Sequence, residues 1–237
     1  MMPLAIVLLA FAVHRTLPLS EPVALPAATP TTSASAQPSP TPSARPLPPP
    51  PASATRAGQI VAFLGDSYAA GAGASRPSNG WTYRVSHHLG WVEKNLSQIT
   101  ASYSTTGEPG ETSYRARIPA LVATGAQVVV VSGGRADVHV GATQFRSDVR
   151  ATLAGIHAAL PKAKIMVVSP TWGNSPAPAR LTALITIVRA EAVRAGVTYL
   201  DIGEPMVGNP GLMAADGWQP NDAGHAAIAA AVEKALA

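Results

Sequence analysis

The sequence predicts an α/β domain, a doubly wound parallel five-stranded sheet with helices on both faces. Two observations carry this expectation. From Gly58 onward, short apolar runs alternate with amphipathic stretches, the order expected of parallel strands joined by right-handed helical crossovers. Residues 128–131 are four consecutive valines, apolar towards both faces, as a strand buried inside a parallel sheet requires.

Each element follows from its own pattern. Residues 60–64 read Ile-Val-Ala-Phe-Leu, a short uncharged strand. A helix is expected at 80–89, where Trp81, Val85 and Leu89 recur every fourth residue. The second strand is placed at 99–102, followed by a helix at 114–123 with Ile118, Leu121 and Val122 on one face. The valine strand spans 127–132, and the helix at 142–160 carries Phe145, Val149, Leu153, Ile156 and Leu160 at three- and four-residue spacing. Strand 164–169, helix 177–195, strand 197–201 and helix 223–236 complete the pattern. Ligands of such sheets bind beyond the carboxyl ends of the strands, so the chemistry belongs just after strand ends.

The remainder of the 237-residue chain lies upstream. Eleven of its 23 prolines fall between Pro22 and Pro51, which separates residues 1–56 from a single domain at 57–237, large enough to bury a core. Residues 3–13 carry no charge; they fall short of the roughly 20 residues of a spanning helix but match the apolar core of a signal peptide. Residues 1–15 are therefore expected to be a signal peptide or membrane anchor, and the protein to be exported to the extracellular space or cell envelope. No Lys or Arg precedes the apolar run, and His14-Arg15 follows it, which departs from the usual charge pattern. Residues 16–56 are rich in Pro, Ser, Thr and Ala and charged only at Glu21, Arg45 and Arg56. They are expected to form a disordered or polyproline linker that reaches on the order of 130 Å when extended.

Composition excludes several classes. With no cysteine there is no disulfide scaffold, thiolate metal site or cysteine nucleophile. The net charge of +4 comes from singly scattered Lys and Arg rather than a basic face, so no nucleic-acid partner is expected. His87-His88 lacks a second ligand pair at metal spacing and reads as a surface pair; no metal or cofactor is expected.

The first strand runs into Gly65-Asp66-Ser67-Tyr68, which puts the Ser67 hydroxyl on the turn that leaves the sheet. A serine there is equally suited to capping a helix. The glycines that follow match neither a dinucleotide fingerprint, since Arg76 stands at the third glycine position, nor a Gly-x-Ser-x-Gly elbow, since Ala69 closes it. Near the other end, Asp222-Ala223-Gly224-His225 opens the last helix. Two residues three apart share one side of a helical turn, so the carboxylate can hold the imidazole while the imidazole accepts the Ser67 proton. By itself the same tetrapeptide also reads as an N-cap beside an incidental histidine. His139 follows Asp137 but lacks a helical Asp partner.

With both blocks at the same sheet edge, the chain from Ile60 onward resembles the GDSL, or SGNH, hydrolase family of esterases and lipases. The resemblance implies a flavodoxin-like, three-layer α/β/α fold with Ser67, Asp222 and His225 as catalytic residues. It implies oxyanion donors at the Ser67 amide and at a glycine after the second strand, with Gly110 the better candidate and Gly107 the reserve. It also exposes a departure. The family usually shows Gly-x-Asn-Asp after the third strand, where this chain has Gly134-Arg135-Ala136-Asp137. Ala136 has no donor to replace the Asn amide, a loss worth about 10²–10³ in turnover; Arg135 and Asn174 are candidate substitutes.

The function implied is a serine carboxylic-ester hydrolase working through a Ser67 acyl-enzyme on acyl or acetyl esters. Export points to a small-molecule or envelope lipid or glycan ester as substrate, a membrane tether through the N-terminus, and a monomer. Trp172 is a candidate for lining the substrate pocket, and Trp218 another. Two alternatives remain open: a catalytically impaired carbohydrate- or lipid-binding envelope protein of this fold, which Ala136 favours, and an acyltransferase.

Overall fold

The computed structural model describes residues 56–105 and 110–237. The expected signal or anchor segment at 1–15, the linker up to residue 55 and Gly107 lie outside these residues. In chain order the strands are β1 (Ile60–Gly65), β2 (Val92–Asn95), β3 (Ala101–Ser102), β4 (Thr112–Ser113), β5 (Val128–Ser132), β6 (Lys164–Val168) and β7 (Thr198–Leu200). The helices are α1 (Trp81–Leu89), α2 (Ile118–Ala123), α3 (Ala142–Ala159), α4 (Ala179–Arg194) and α5 (Asp222–Leu236).

The main sheet has five strands in the order β2-β1-β5-β6-β7, every pair parallel. This is the doubly wound, flavodoxin-like order. Because successive side chains of a strand point to opposite faces, β1 and β5 each feed two cores. Ala62, Leu64, Val129 and Val131 pack with Phe145, Val149 and Leu153 of α3 and Leu181, Leu184 and Val188 of α4. Val61, Phe63, Val128 and Val130 pack on the other face with Trp81 and Val85 of α1 and Ile228 and Val232 of α5. The result is three layers, α/β/α.

The expected second strand is displaced. The strand beside β1 is Val92–Asn95, paired from Ile60↔Val92 to Phe63↔Asn95, rather than 99–102. Of 99–102, Ala101 and Ser102 instead pair with Thr112 and Ser113 in a separate two-stranded sheet, and Ile99 is exposed. The physical reason is that β2 is an edge strand. Among the described residues no strand pairs on its outer side, so Glu93 and Lys94 are tolerated and no apolar run marks it. The expected helix at 114–123 also divides, into a 3-10 turn (Tyr114–Arg117) and α2, at Pro119 in the first helical turn.

Strand order reverses between β1 and β5, since β1 connects outward to β2 and β5 outward to β6. The loops leaving these two strands diverge and open a crevice at the carboxyl edge. Gly65 and Ser132 are paired across them, so the residues that follow each emerge side by side. Closeness is enforced by Gly133: at φ +140°, a Cβ there would stand 2.0 Å from the Tyr114 hydroxyl.

Candidate active site

Ser67 follows the Gly65↔Ser132 pair by two residues, on a run of turns rather than at a helix N-terminus. The turns close through Ala70 N–H to Asp66 O (2.8 Å) and Ala72 N–H to Ser67 O (2.9 Å). Asp66 is buried beneath; its Oδ1 accepts the Tyr68 N–H at 3.0 Å, and burial pushes its carboxyl above the ordinary range. The Ser67 side chain accepts a hydrogen bond from the Arg135 guanidinium, Nη2 to Oγ 2.9 Å.

Arg135 is three residues past Ser132 on the neighbouring strand. Its guanidinium carbon lies 4.2 Å from the centre of the Tyr68 ring and 5.9 Å from that of Trp172. Trp172, on the loop after β6, meets Trp218 edge-on with ring centres 6.5 Å apart. Trp218 returns to the start, because its carbonyl accepts the Tyr68 hydroxyl at 3.0 Å. These four side chains and the Asn174 side border a cavity of about 160 Å³. The candidate pocket residues Trp172 and Trp218 therefore both face it, with Trp218 62% exposed at its mouth.

Asp222 and His225 are placed differently. Both open α5, whose N-cap is Asn221, its side chain accepting the Ala223 and Gly224 N–H groups. The Asp222 carboxylate accepts the Ser75 N–H (2.8 Å), the Ser75 hydroxyl (2.7 Å) and the Asn79 amide (2.8 Å). Those bonds, led by the Ser75 hydroxyl, hold it below the usual carboxylate range. The His225 ring is fully buried, with Nε2 3.0 Å from the Ala72 carbonyl oxygen. A carbonyl only accepts, so Nε2 carries the proton, and Nδ1 is left buried without a partner among the described residues. Burial pushes the pKa of the imidazole below its ordinary value.

The expected relay is thus not assembled. No hydrogen bond among the described residues joins Asp222 to His225 or His225 to Ser67; the carboxylate is committed to the 75–79 loop and Nε2–H to a main-chain carbonyl. Gly110 is exposed, at φ +84°, and its carbonyl accepts the Thr100 hydroxyl at 2.7 Å. Asp137 is buried, accepting the Tyr103 and Ser104 N–H groups, and burial raises its carboxyl to about 7. Ala136 is exposed. His87 and His88 are surface residues, His87 stacked on Tyr83 and His88 paired with Glu233 at 2.9 Å, and His139 is exposed.

Two groups escaped sequence reasoning. Ser75 and Asn79, the partners of Asp222, sit in an ordinary polar turn that carries no signal. Asp216 caps a second turn, its Oδ1 accepting the N–H groups of Trp218 (2.8 Å) and Gln219 (3.0 Å). Its spacing to Gln219 repeats that of Asp222 to His225 one turn earlier, a signal available in the sequence.

Residues 63–227 match the model of the GDSL-like lipase/acylhydrolase family. The chain belongs to that family. By family and fold it is a serine hydrolase of the ester-cleaving class, acting on small acyl esters, and Ser67 is the serine that this fold presents at its switch point. A GDSL lipase of Mycobacterium tuberculosis, Rv0518, is 28% identical over 180 residues, 71% of this chain and 78% of that protein. Among solved structures, TesA superposes with a TM-score of 0.63 at 22% identity, covering 75% of this chain and 98% of that one. Est24, a carbohydrate acetylesterase from Sinorhizobium meliloti, gives 0.61 at 15% identity, covering 74% and 97%. These two establish likeness of fold.

Proposed function

We propose that this chain hydrolyses short acyl esters, acetyl esters foremost, through an acyl-enzyme on Ser67. The observation that carries the reading is the Ser67 hydroxyl, in hydrogen-bond contact with a guanidinium beside a small aromatic cavity. A space of about 160 Å³ suits an acetyl or short acyl group better than a long chain. The Trp172–Trp218 pair supplies apolar faces for a sugar or glycolipid alcohol. The likeness to a carbohydrate acetylesterase, and the uncharged segment at residues 3–13 followed by a proline-rich stretch, support an exported enzyme acting on an O-acetylated envelope glycan or lipid. Gly110 is assigned the second main-chain donor on the strength of its motif.

The full-length protein is expected to hydrolyse nitrophenyl acetate faster than nitrophenyl octanoate, and Ser67→Ala to abolish both rates. Equal rates in the two proteins would refute the reading. A second reading has its own observation: His225 and Asp222 are committed to Ala72, Ser75 and Asn79, leaving no base hydrogen-bonded to Ser67 among the described residues. Under it the fold binds the ester without turning it over. Wild type and Ser67→Ala would then show the same rate while an acetylated oligosaccharide still quenches tryptophan fluorescence.

A further inference from the structure

We propose that Arg135 is the oxyanion-stabilising residue of this site, held at Ser67 by a closed ring of aromatic contacts. The inference rests on the reading of Ser67 as the nucleophile. Its first support is position. Gly65 and Ser132 are register partners, so Arg135 leaves the sheet beside Ser67, and its Nη2 comes within 2.9 Å of the reacting oxygen. Ala136, the next residue, carries no donor. The guanidinium thus supplies from position 135 what a side-chain amide would supply from 136.

The second support is the guanidinium's spare capacity. Arginine has five N–H donors, and the hydrogen bonds among the described residues use one of Arg135's, on Ser67. Arg150 and Arg180 each use two. Arg150 gives two N–H groups to Glu191, and Arg180 donates to the Val138 and Val140 carbonyls. None of the ion pairs among the described residues includes Arg135. It is held instead by π faces, Tyr68 at 4.2 Å and Trp172 at 5.9 Å. The ring closes through Trp172 against Trp218 and the Trp218 carbonyl on the Tyr68 hydroxyl. A cation held this way keeps N–H groups for an incoming anion, and it needs no rearrangement when charge develops.

In the reaction, Ser67 Oγ forms a bond to the ester carbonyl carbon while the carbonyl π pair moves onto oxygen. That alkoxide accepts N–H groups of Arg135. Collapse re-forms the carbonyl and breaks the bond to the alcohol oxygen, which departs with the serine proton carried to it by water. A second water then cleaves the acyl-serine by the same path, releasing the acid and restoring the hydroxyl. Arg135 stabilises both tetrahedral states.

The test uses Arg135→Met and Arg135→Lys in the full chain, read by two independent signals. For nitrophenyl acetate, kcat is expected to fall about 10²-fold in Arg135→Met, as for loss of an oxyanion donor, and about tenfold in Arg135→Lys, with KM changed less than threefold in both. Phenylboronic acid, which adds Ser67 Oγ to form a tetrahedral boronate anion, should bind at least tenfold more weakly to Arg135→Met by ¹¹B NMR titration. Trp172 is a positioning residue: Trp172→Ala should lower kcat about tenfold, and Trp172→Phe, which keeps a ring, should restore most of it. If the wild type hydrolyses no faster than Ser67→Ala, the esterase reading fails and the boronate titration alone decides the role of Arg135. Unchanged boronate affinity in either arginine variant with native circular dichroism overturns the proposal.

Discussion

Ser67 stands on the loop that leaves β1 and His225 on α5, with its ring against Ala72 of that loop, and both are buried, at 3% and 0% exposure. Their surroundings are opposite. The Ser67 side chain meets the guanidinium of Arg135, which borders the cavity; His225 faces main chain, and its ring ties α5 to Ala72 while Asp222 ties the same helix to Ser75 and Asn79. A chemically able residue acts according to which of its atoms remain uncommitted. The serine hydroxyl still has a proton to give. The imidazole has already spent its only N–H on a carbonyl, and its free nitrogen is sealed in the core.

Breaking the His225 side of this contrast should have the largest effect, and on stability. His225→Ala removes the bond to Ala72 and leaves a cavity, for an expected loss of about 2–4 kcal/mol in urea unfolding. If the residue were a relay member instead, stability would hold and hydrolysis alone would collapse. The same residue predicts a pH effect. Its folded pKa is depressed below the ordinary 6.5, so the unfolded chain takes up the proton first. The stability it contributes is therefore whole above about pH 6.5 and lost as pH falls below it. Asp137, raised to about 7, runs the other way, losing stability as pH rises through that range. Subtracting the pH profile of His225→Gln from that of wild type isolates the first contribution; a flat difference would contradict the burial of a neutral ring.

The Ser67 side is sharpened by adding what it lacks. Gln219 sits on the turn capped by Asp216, against Gly73, with its side-chain oxygen buried and unpartnered among the described residues. An imidazole there would stand three residues after a carboxylate, on the turn whose Gly217 and Trp218 line the cavity. Gln219→His is expected to raise nitrophenyl acetate hydrolysis about tenfold, below the full worth of a positioned base; a decrease would place Gln219 among the binding groups. Smallest of all, Ala136→Asn should change the rate less than threefold, because its side is exposed and Arg135 already occupies the nucleophile. A gain of a hundredfold would show that the amide was missed after all.

Much of this architecture is legible in the chain. Buried parallel strands advertise themselves by apolar runs, so 60–64 and the valines at 128–131 name the sheet's centre. Phe145, Val149, Leu153 and Ile156 outline the longest helix in the same way. The edge strand hides because, among the described residues, no strand pairs on its outer side and charge is permitted there. Ser67 is readable because strand end and switch point coincide. The Arg135 contact is not, since it depends on a register between β1 and β5 that only folding creates. The Asp-x-x-His spacing places two residues on one side of a turn, while the loop packed against that turn decides which atoms they meet.

The bonds from Asp222 and His225 to residues 72–79 have one more consequence. They cross about 150 positions of chain, joining the loop after the first strand to the helix that follows the last. During synthesis β1 and its serine emerge early, yet the bonds that Asp222 and His225 give the loop behind that serine form only once α5 has left the ribosome and docked. The surroundings of the serine are therefore completed at the end of folding, and incomplete chains carry it without that part of its support.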